Sequence, residues 1–120
     1  LIKSHKNSKK LATVTAVQPP GRFGSLGIND KEGVYTFLEK PDGDGGWING
    51  GFFVLNKEVI NRINDDSTIL EQYPLKSLAN EGQLNAYKHK EFWKPMDTLR
   101  DKNNLERMWE NNNAPWKIWE

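Results

Sequence analysis

Leu11-Ala12-Thr13-Val14-Thr15-Ala16-Val17 is a nearly unbroken run of apolar and hydroxyl side chains, most of them β-branched. A run without polar alternation suits a strand covered on both faces, as in an α/β sheet. Pro19-Pro20-Gly21 stops it, because proline gives no N–H to a ladder and glycine opens a turn. Upstream, Leu1-Ile2-Lys3-Ser4-His5-Lys6 reads as the last turns of a helix, with Lys6, Lys9 and Lys10 on its solvated end. It has no apolar signal segment and no arginine-rich presequence, and the chain is expected to be a piece of a longer protein. Downstream, Gly24-Ser25-Leu26-Gly27-Ile28 and Val34-Tyr35-Thr36-Phe37-Leu38, joined through Asn29-Asp30-Lys31-Glu32-Gly33, predict a hairpin. Residues 41–46 form a loop of turn formers, and Gly51-Phe52-Phe53-Val54-Leu55 a short apolar strand. After Asn56 the period changes. Asn56 is placed to cap a short helix over 57–63, with Val59, Ile60 and Ile63 on its inner face. Pro74 opens a second helix over 74–80, with Leu75, Leu78 and Ala79 inward and Gly82 closing it. Residues 84–88 predict a strand. Residues 98–111 predict the longest helix, striped by Leu105, Met108 and Trp109 and ended by Asn111-Asn112-Asn113. Strands with short helices between them make the class α/β or α+β.

The chain has 120 residues, 17 Lys and Arg against 16 Asp and Glu, and hence a net charge of +1. This length supports one core and not two, and 1–120 is expected to be a single unit. Hydrophobic residues are 36% and charged residues 28%, a low apolar share for a compact domain. The core therefore leans on five Trp, five Phe and three Tyr, or the chain borrows a surface from elsewhere. So many aromatics at balanced charge argue against disorder. Near-neutrality argues against a general nucleic-acid binder, and the tryptophans read as core and interface rather than as a base-stacking platform. The absence of cysteine excludes a disulfide scaffold and thiolate metal sites and fits a reducing compartment. No apolar run approaches the roughly 20 residues of a membrane helix.

Four clusters carry candidate chemistry. In Pro20-Gly21-Arg22-Phe23-Gly24 an arginine between glycines suits anion contact, or is an ordinary surface loop. Glu39-Lys40-Pro41 ends a strand, where ligands of α/β sheets bind: a carboxylate accepts from sugar hydroxyls and an ammonium neutralises a phosphate. Alternate strand residues point oppositely, so the proline-terminated bend must re-aim one of the pair. Taken alone, the pair reads equally as solvated charge. Ile48-Asn49-Gly50-Gly51 allows close ligand approach and offers an amide, or is a bulge. In Phe92-Trp93-Lys94-Pro95-Met96-Asp97-Thr98, Asp97 is either a helix cap or a magnesium ligand, and capping by Thr98 would free it for metal. His5 and His89 lack metal-ligand spacing, and no nucleophile elbow occurs.

In order and spacing the clusters resemble the sugar nucleotidylyltransferases, and within them the C-terminal half of the glucose-1-phosphate cytidylyltransferase branch. PPGRFG, FLEKPDGDGGWINGGFFVLN, FWKPMDTLRDK and APWKIWE carry the resemblance across essentially the whole chain. EKP marks only the broad class; NGGFFVLN and WKPMDTLRDK point to the cytidylyl branch. The resemblance implies an α/β fold, part of a Rossmann-like mixed sheet with inserted helices and a C-terminal helix. It implies an enzyme making CDP-glucose and pyrophosphate from CTP and α-D-glucose 1-phosphate with Mg2+. That product feeds bacterial surface polysaccharides such as O antigen. A cytoplasmic bacterial homo-oligomer is expected, with no nucleic-acid or membrane partner. By motif match, Glu39 would hold sugar hydroxyls, Lys40 the sugar phosphate as the catalytic cation, and Gly24, Asn49 and Gly50 the hexose. Asp97 would bind magnesium, and Arg22 takes no assigned role. The family's GGxGTRL phosphate loop and its second metal-binding aspartate are not found in this chain. It is therefore expected to be the sugar-binding, metal-contributing half, inactive alone. Thymidylyl, uridylyl or adenylyl transfer, and a non-catalytic oligomerisation module, are the competing readings.

Overall fold

The structure, a computed structural model, describes residues 1–21, 25–39 and 46–120. It is a mixed α/β chain that divides into two compact units, Leu1–Val17 with Trp47–His89, and Gln18–Gly46 with Lys90–Glu120.

The first unit is built on the run that opens the sequence reading. Strand β1, Ala12–Val17, is the middle strand of a three-stranded sheet. It pairs antiparallel with β4, Ile48–Leu55, and parallel with β5, Leu84–Lys88. All of β1 except the half-buried Val14 is buried, as a strand covered on both faces requires. Helix α1, Ile2–Ser8, precedes β1, and helix α2, Tyr73–Asn80, precedes β5. Pro74 sits in the first turn of α2, and Gly82 lies beyond its end at φ 70°. Leu75 and Leu78 face a core shared with Ala12 and Val59, against which Leu11, Phe53, Leu70 and Leu84 pack. Ala79, expected inward, is exposed: the buried stripe of α2 is narrow and 79 lies a full residue step outside it.

Residues Lys57–Arg62 wind as a 3₁₀ helix rather than an α-helix. At three residues per turn Ile60 falls about 120° from Val59, and Ile63 lies beyond the helix in extended backbone. Val59 is accordingly buried while Ile60 and Ile63 are exposed, which corrects the expected shared face. Asn56 stands at the N-cap position without capping, because its side chain is engaged elsewhere. Its Oδ1 is 2.8 Å from Nε2 of the buried His5, whose Nδ1 is 2.8 Å from Thr13 Oγ1. Asn85 Nδ2 donates to the same threonine hydroxyl at 3.3 Å. The Asn56 oxygen can only accept, so it takes Nε2–H, and in the singly protonated ring Nδ1 then accepts from the Thr13 hydroxyl. His5 thus ties α1, β1 and the end of β4 together. Replacing His5 by alanine takes a partner from the buried Thr13 hydroxyl and leaves a cavity, and is expected to destabilise the fold by about 2 kcal/mol, read from the denaturation midpoint at constant m. At the surface, the Arg62 fork meets Glu81 at 2.8 and 2.6 Å and donates to Ser77 Oγ, joining the 3₁₀ helix to α2.

The second unit holds the predicted hairpin and the last helix. Strands β2, Ser25–Ile28, and β3, Val34–Leu38, pair antiparallel. The Asn29 side chain organises the turn by accepting from the N–H groups of Lys31 and Gly33. Helix α3, Leu99–Glu110, buries no residue fully; Leu105 and Met108 of its stripe are half-buried and Trp109 is exposed. The tryptophans are therefore not core residues, contrary to one expectation. Instead Phe92 packs on Trp116 with ring centroids 5.5 Å apart, and Trp109 on Trp119 at 6.3 Å. Among the described residues, no helix is long and apolar enough to cross a membrane.

Candidate active site

In the first unit, the Ile48-Asn49-Gly50-Gly51 cluster does not precede a strand, as the sequence suggests, but opens β4 itself. Asn49 lies opposite Ala16 and Phe53 opposite Val14, so Gly50, Gly51 and Phe52 together face the single residue Thr15. A bulge of this kind bends a strand and re-aims its side chains. Gly51 takes φ 79° and Phe52 φ 46°, the second uncommon and costly for a bulky side chain. Two hydrogen bonds support the shape. Asn49 Oδ1 accepts from the Gly51 N–H at 2.9 Å, and Thr15 Oγ1 donates to the Phe52 carbonyl at 2.9 Å. Gly50 is required by packing: a Cβ there would lie 2.7 Å from Val17 Cγ1 and 3.2 Å from the Thr15 carbonyl. Because a backbone N–H needs an oxygen acceptor, the Asn49 amide is oriented, and its NH2 remains the group offered outward from an exposed position.

In the second unit, Glu39 directly follows β3 and is exposed. Asp97 is exposed and precedes α3, whose N-cap is Thr98. Thr98 Oγ1 accepts from the Asp101 N–H at 3.1 Å, and Asp101 Oδ2 reaches back to the Thr98 N–H at 3.2 Å. This reciprocal capping box relieves Asp97 of the capping role. The Thr98 hydroxyl, at 2.8 Å, is the main cause holding the Asp101 carboxyl below the usual carboxylate range. A cavity of about 570 Å³ opens beside this helix start, lined in part by Pro20, Gly21, Lys94, Thr98 and Arg100. The first and fourth sequence clusters thus meet at one cavity, and Asp97 lies between two of its lining residues, Pro95 and Thr98.

No group of three His, Asp or Glu forms a metal cluster among the described residues. A lone carboxylate such as Asp97 still fits a hard cation that takes one or two carboxylates and completes its shell with phosphates and water. His5, buried between Thr13 and Asn56, has a structural role. Of the expected site residues, Asn49 and Gly50 belong to the first unit and Glu39 and Asp97 to the second. Gly24 and Lys40, with the neighbouring Arg22, lie outside the described residues. Thr15 and Asp101 escape the sequence reading. A threonine in a buried strand looks like packing, although an acidic residue three positions after Thr98 is a legible capping signal.

The sequence model for nucleotidyl transferases matches residues 1–111. The chain is 57% identical over 119 residues to the glucose-1-phosphate cytidylyltransferase of Salmonella typhimurium, covering 99% of this chain and 46% of that protein. It is 39% identical over 120 residues to a Bacillus subtilis protein provisionally given the same name, with 99% and 46% covered. A Bacillus anthracis crystal structure, provisionally assigned as a glucose-1-phosphate thymidylyltransferase, superposes with a TM-score of 0.58 at 16% identity, over 99% of this chain and 48% of that one. That likeness shows the α/β fold. The chain spans about half the length of the curated relatives it matches.

Proposed function

The chain belongs to the nucleotidyl transferase family, and from that premise we propose that it is the acceptor-sugar half of a glucose-1-phosphate cytidylyltransferase. The observation that carries this reading is the 57% identity across 99% of the chain. The runs around Asn49 and Asp97, whose local geometry is given above, fall within it. In the reaction, a phosphate oxygen of α-D-glucose 1-phosphate attacks the α-phosphorus of CTP; the bond to the β-phosphate oxygen breaks, giving CDP-glucose and pyrophosphate. Such transfer depends on positioning and on relief of charge rather than on a protein nucleophile.

The residues of this chain divide those tasks. Glu39 accepts hydrogen bonds from sugar hydroxyls, and the Lys40 ammonium offsets repulsion between the two anionic substrates. Asn49 donates through its outward NH2, while Gly24 and Gly50 line the hexose through backbone alone. Asp97, relieved of capping, is the residue that would hold magnesium. When bound, that ion supplies charge neutralisation at the phosphates. The nucleotide-binding loop and a second metal-binding aspartate belong to the remainder of the protein. This chain alone is therefore expected to be inactive.

The remaining features of the reading are a cytoplasmic bacterial homo-oligomer supplying CDP-glucose for surface polysaccharide, O antigen included. The test offers the full-length protein CTP, dTTP, UTP and ATP in turn, with glucose 1-phosphate and magnesium. Sugar nucleotide is expected with CTP above all. Preference for another nucleotide overturns the cytidylyl assignment, and no product with any of the four overturns the enzyme reading.

A further inference from the structure

The bulge in β4 needs a cause, because two consecutive residues hold left-handed backbone in the middle of a strand. Gly51 at φ 79° accepts this without a Cβ penalty, but Phe52 at φ 46° does not. The Phe52 side chain gives no compensation, since it is 81% exposed. What holds its backbone is the Thr15 hydroxyl, which donates to the Phe52 carbonyl at 2.9 Å from a side chain on the buried central strand. Thr15 is the one residue opposite Gly50, Gly51 and Phe52. Its neighbour two positions on, Val17, and its own carbonyl both crowd the space where a Cβ on Gly50 would stand. Asn49 is pinned to the same bulge through the Gly51 N–H at 2.9 Å. If Gly51 and Phe52 relax toward ordinary strand geometry, the Gly51 N–H donor that orients the Asn49 amide is displaced.

We propose that Thr15 is a positioning residue for sugar recognition: its hydroxyl latches the Gly51–Phe52 bulge and so fixes the Asn49 amide and the Gly50 backbone against the hexose. The proposal rests on the reading of Asn49 and Gly50 as hexose contacts. Thr15 itself is 8% exposed and touches no substrate in this scheme.

The experiment uses the full-length protein and the pair Thr15→Val and Thr15→Ser. Valine keeps the shape and removes the donor; serine keeps the donor. Thr15→Val is expected to raise the KM for glucose 1-phosphate about tenfold, the size of one lost hydrogen bond in the sugar subsite, while the KM for CTP stays within about twofold. Thr15→Ser is expected to restore the wild-type value. Direct titration with glucose 1-phosphate follows the same loss without depending on the nucleotide, and hydrogen exchange at Gly51 and Phe52 quickens only in the valine variant.

Unchanged sugar binding by Thr15→Val overturns the proposal. So does an equal rise in both KM values with a lowered melting temperature, because that is the signature of general destabilisation. If Thr15→Ser fails to restore binding, the hydroxyl is not the operative group, and the proposal falls. A wild-type protein that does not bind glucose 1-phosphate overturns the underlying sugar reading itself. That failure is recognised before any variant is made.

Discussion

Lys40→Ala in the full-length protein is expected to lower kcat for CDP-glucose formation by about 10²- to 10³-fold, the cost of removing one charged group from a transferring phosphoryl centre. Two anions must approach within bonding distance, and no side-chain nucleophile shares the work. In the sequence Lys40 stands between Glu39, the expected hydroxyl acceptor, and Pro41. Its loss raises the barrier through charge and leaves sugar binding through Glu39 and Asn49 partly intact. The rate should therefore fall more than the KM for glucose 1-phosphate rises. Arginine in its place restores charge but not shape, so Lys40→Arg is expected to recover only part of the rate. Chromatographic measurement of CDP-glucose at saturating substrates checks this, and a rate within about threefold of wild type removes Lys40 from the mechanism.

Asp97→Asn is expected to reduce turnover by about 10²-fold at ordinary magnesium and to raise the magnesium concentration needed for half-maximal rate. The geometry makes this an unusually clean substitution. An acidic residue just before a helix is ordinarily suspected of capping, and its loss then weakens the helix itself. Here Thr98 and Asp101 cap α3 reciprocally, so the amide variant leaves the helix start whole. The melting temperature is expected to stay within about 2 °C of wild type, since a surface change of this kind costs about 0.5 kcal/mol or less. Loss of activity together with a large drop in melting temperature points instead to a structural role. Unchanged magnesium dependence removes Asp97 from the metal site.

The mixed sheet is legible in the sequence where burial is two-sided. The run 11–17 has no polar face and must be covered above and below, and β1 is covered so. The hairpin is legible from its turn residues, and α3 from Thr98 and its asparagine-rich end. The 3₁₀ helix at 57–62 is not, because a short apolar pattern does not separate three residues per turn from 3.6. Nor is the role of His5, whose partners Thr13 and Asn56 are remote in sequence from one another. For the candidate site, residue types and motif order nominate Glu39, Asn49, Gly50 and Asp97 among the described residues. Sequence leaves open whether the glycines serve a ligand, a bulge or both, and the register against Thr15 shows that a bulge is there. No local pattern announces that a threonine on another strand holds it.

Pairing in the sheet also has a temporal side. Within this chain β1 precedes both of its sheet partners: β4 comes only after the hairpin, and β5 after two further helical segments. Ala12 must wait for Leu84 before its parallel ladder can form. The two neighbours of β1 in this sheet are thus supplied by residues 48–55 and 84–88, and non-local closure of this kind is slow. The strand at the buried centre of this sheet therefore depends, while the chain is being made, on partners that come later.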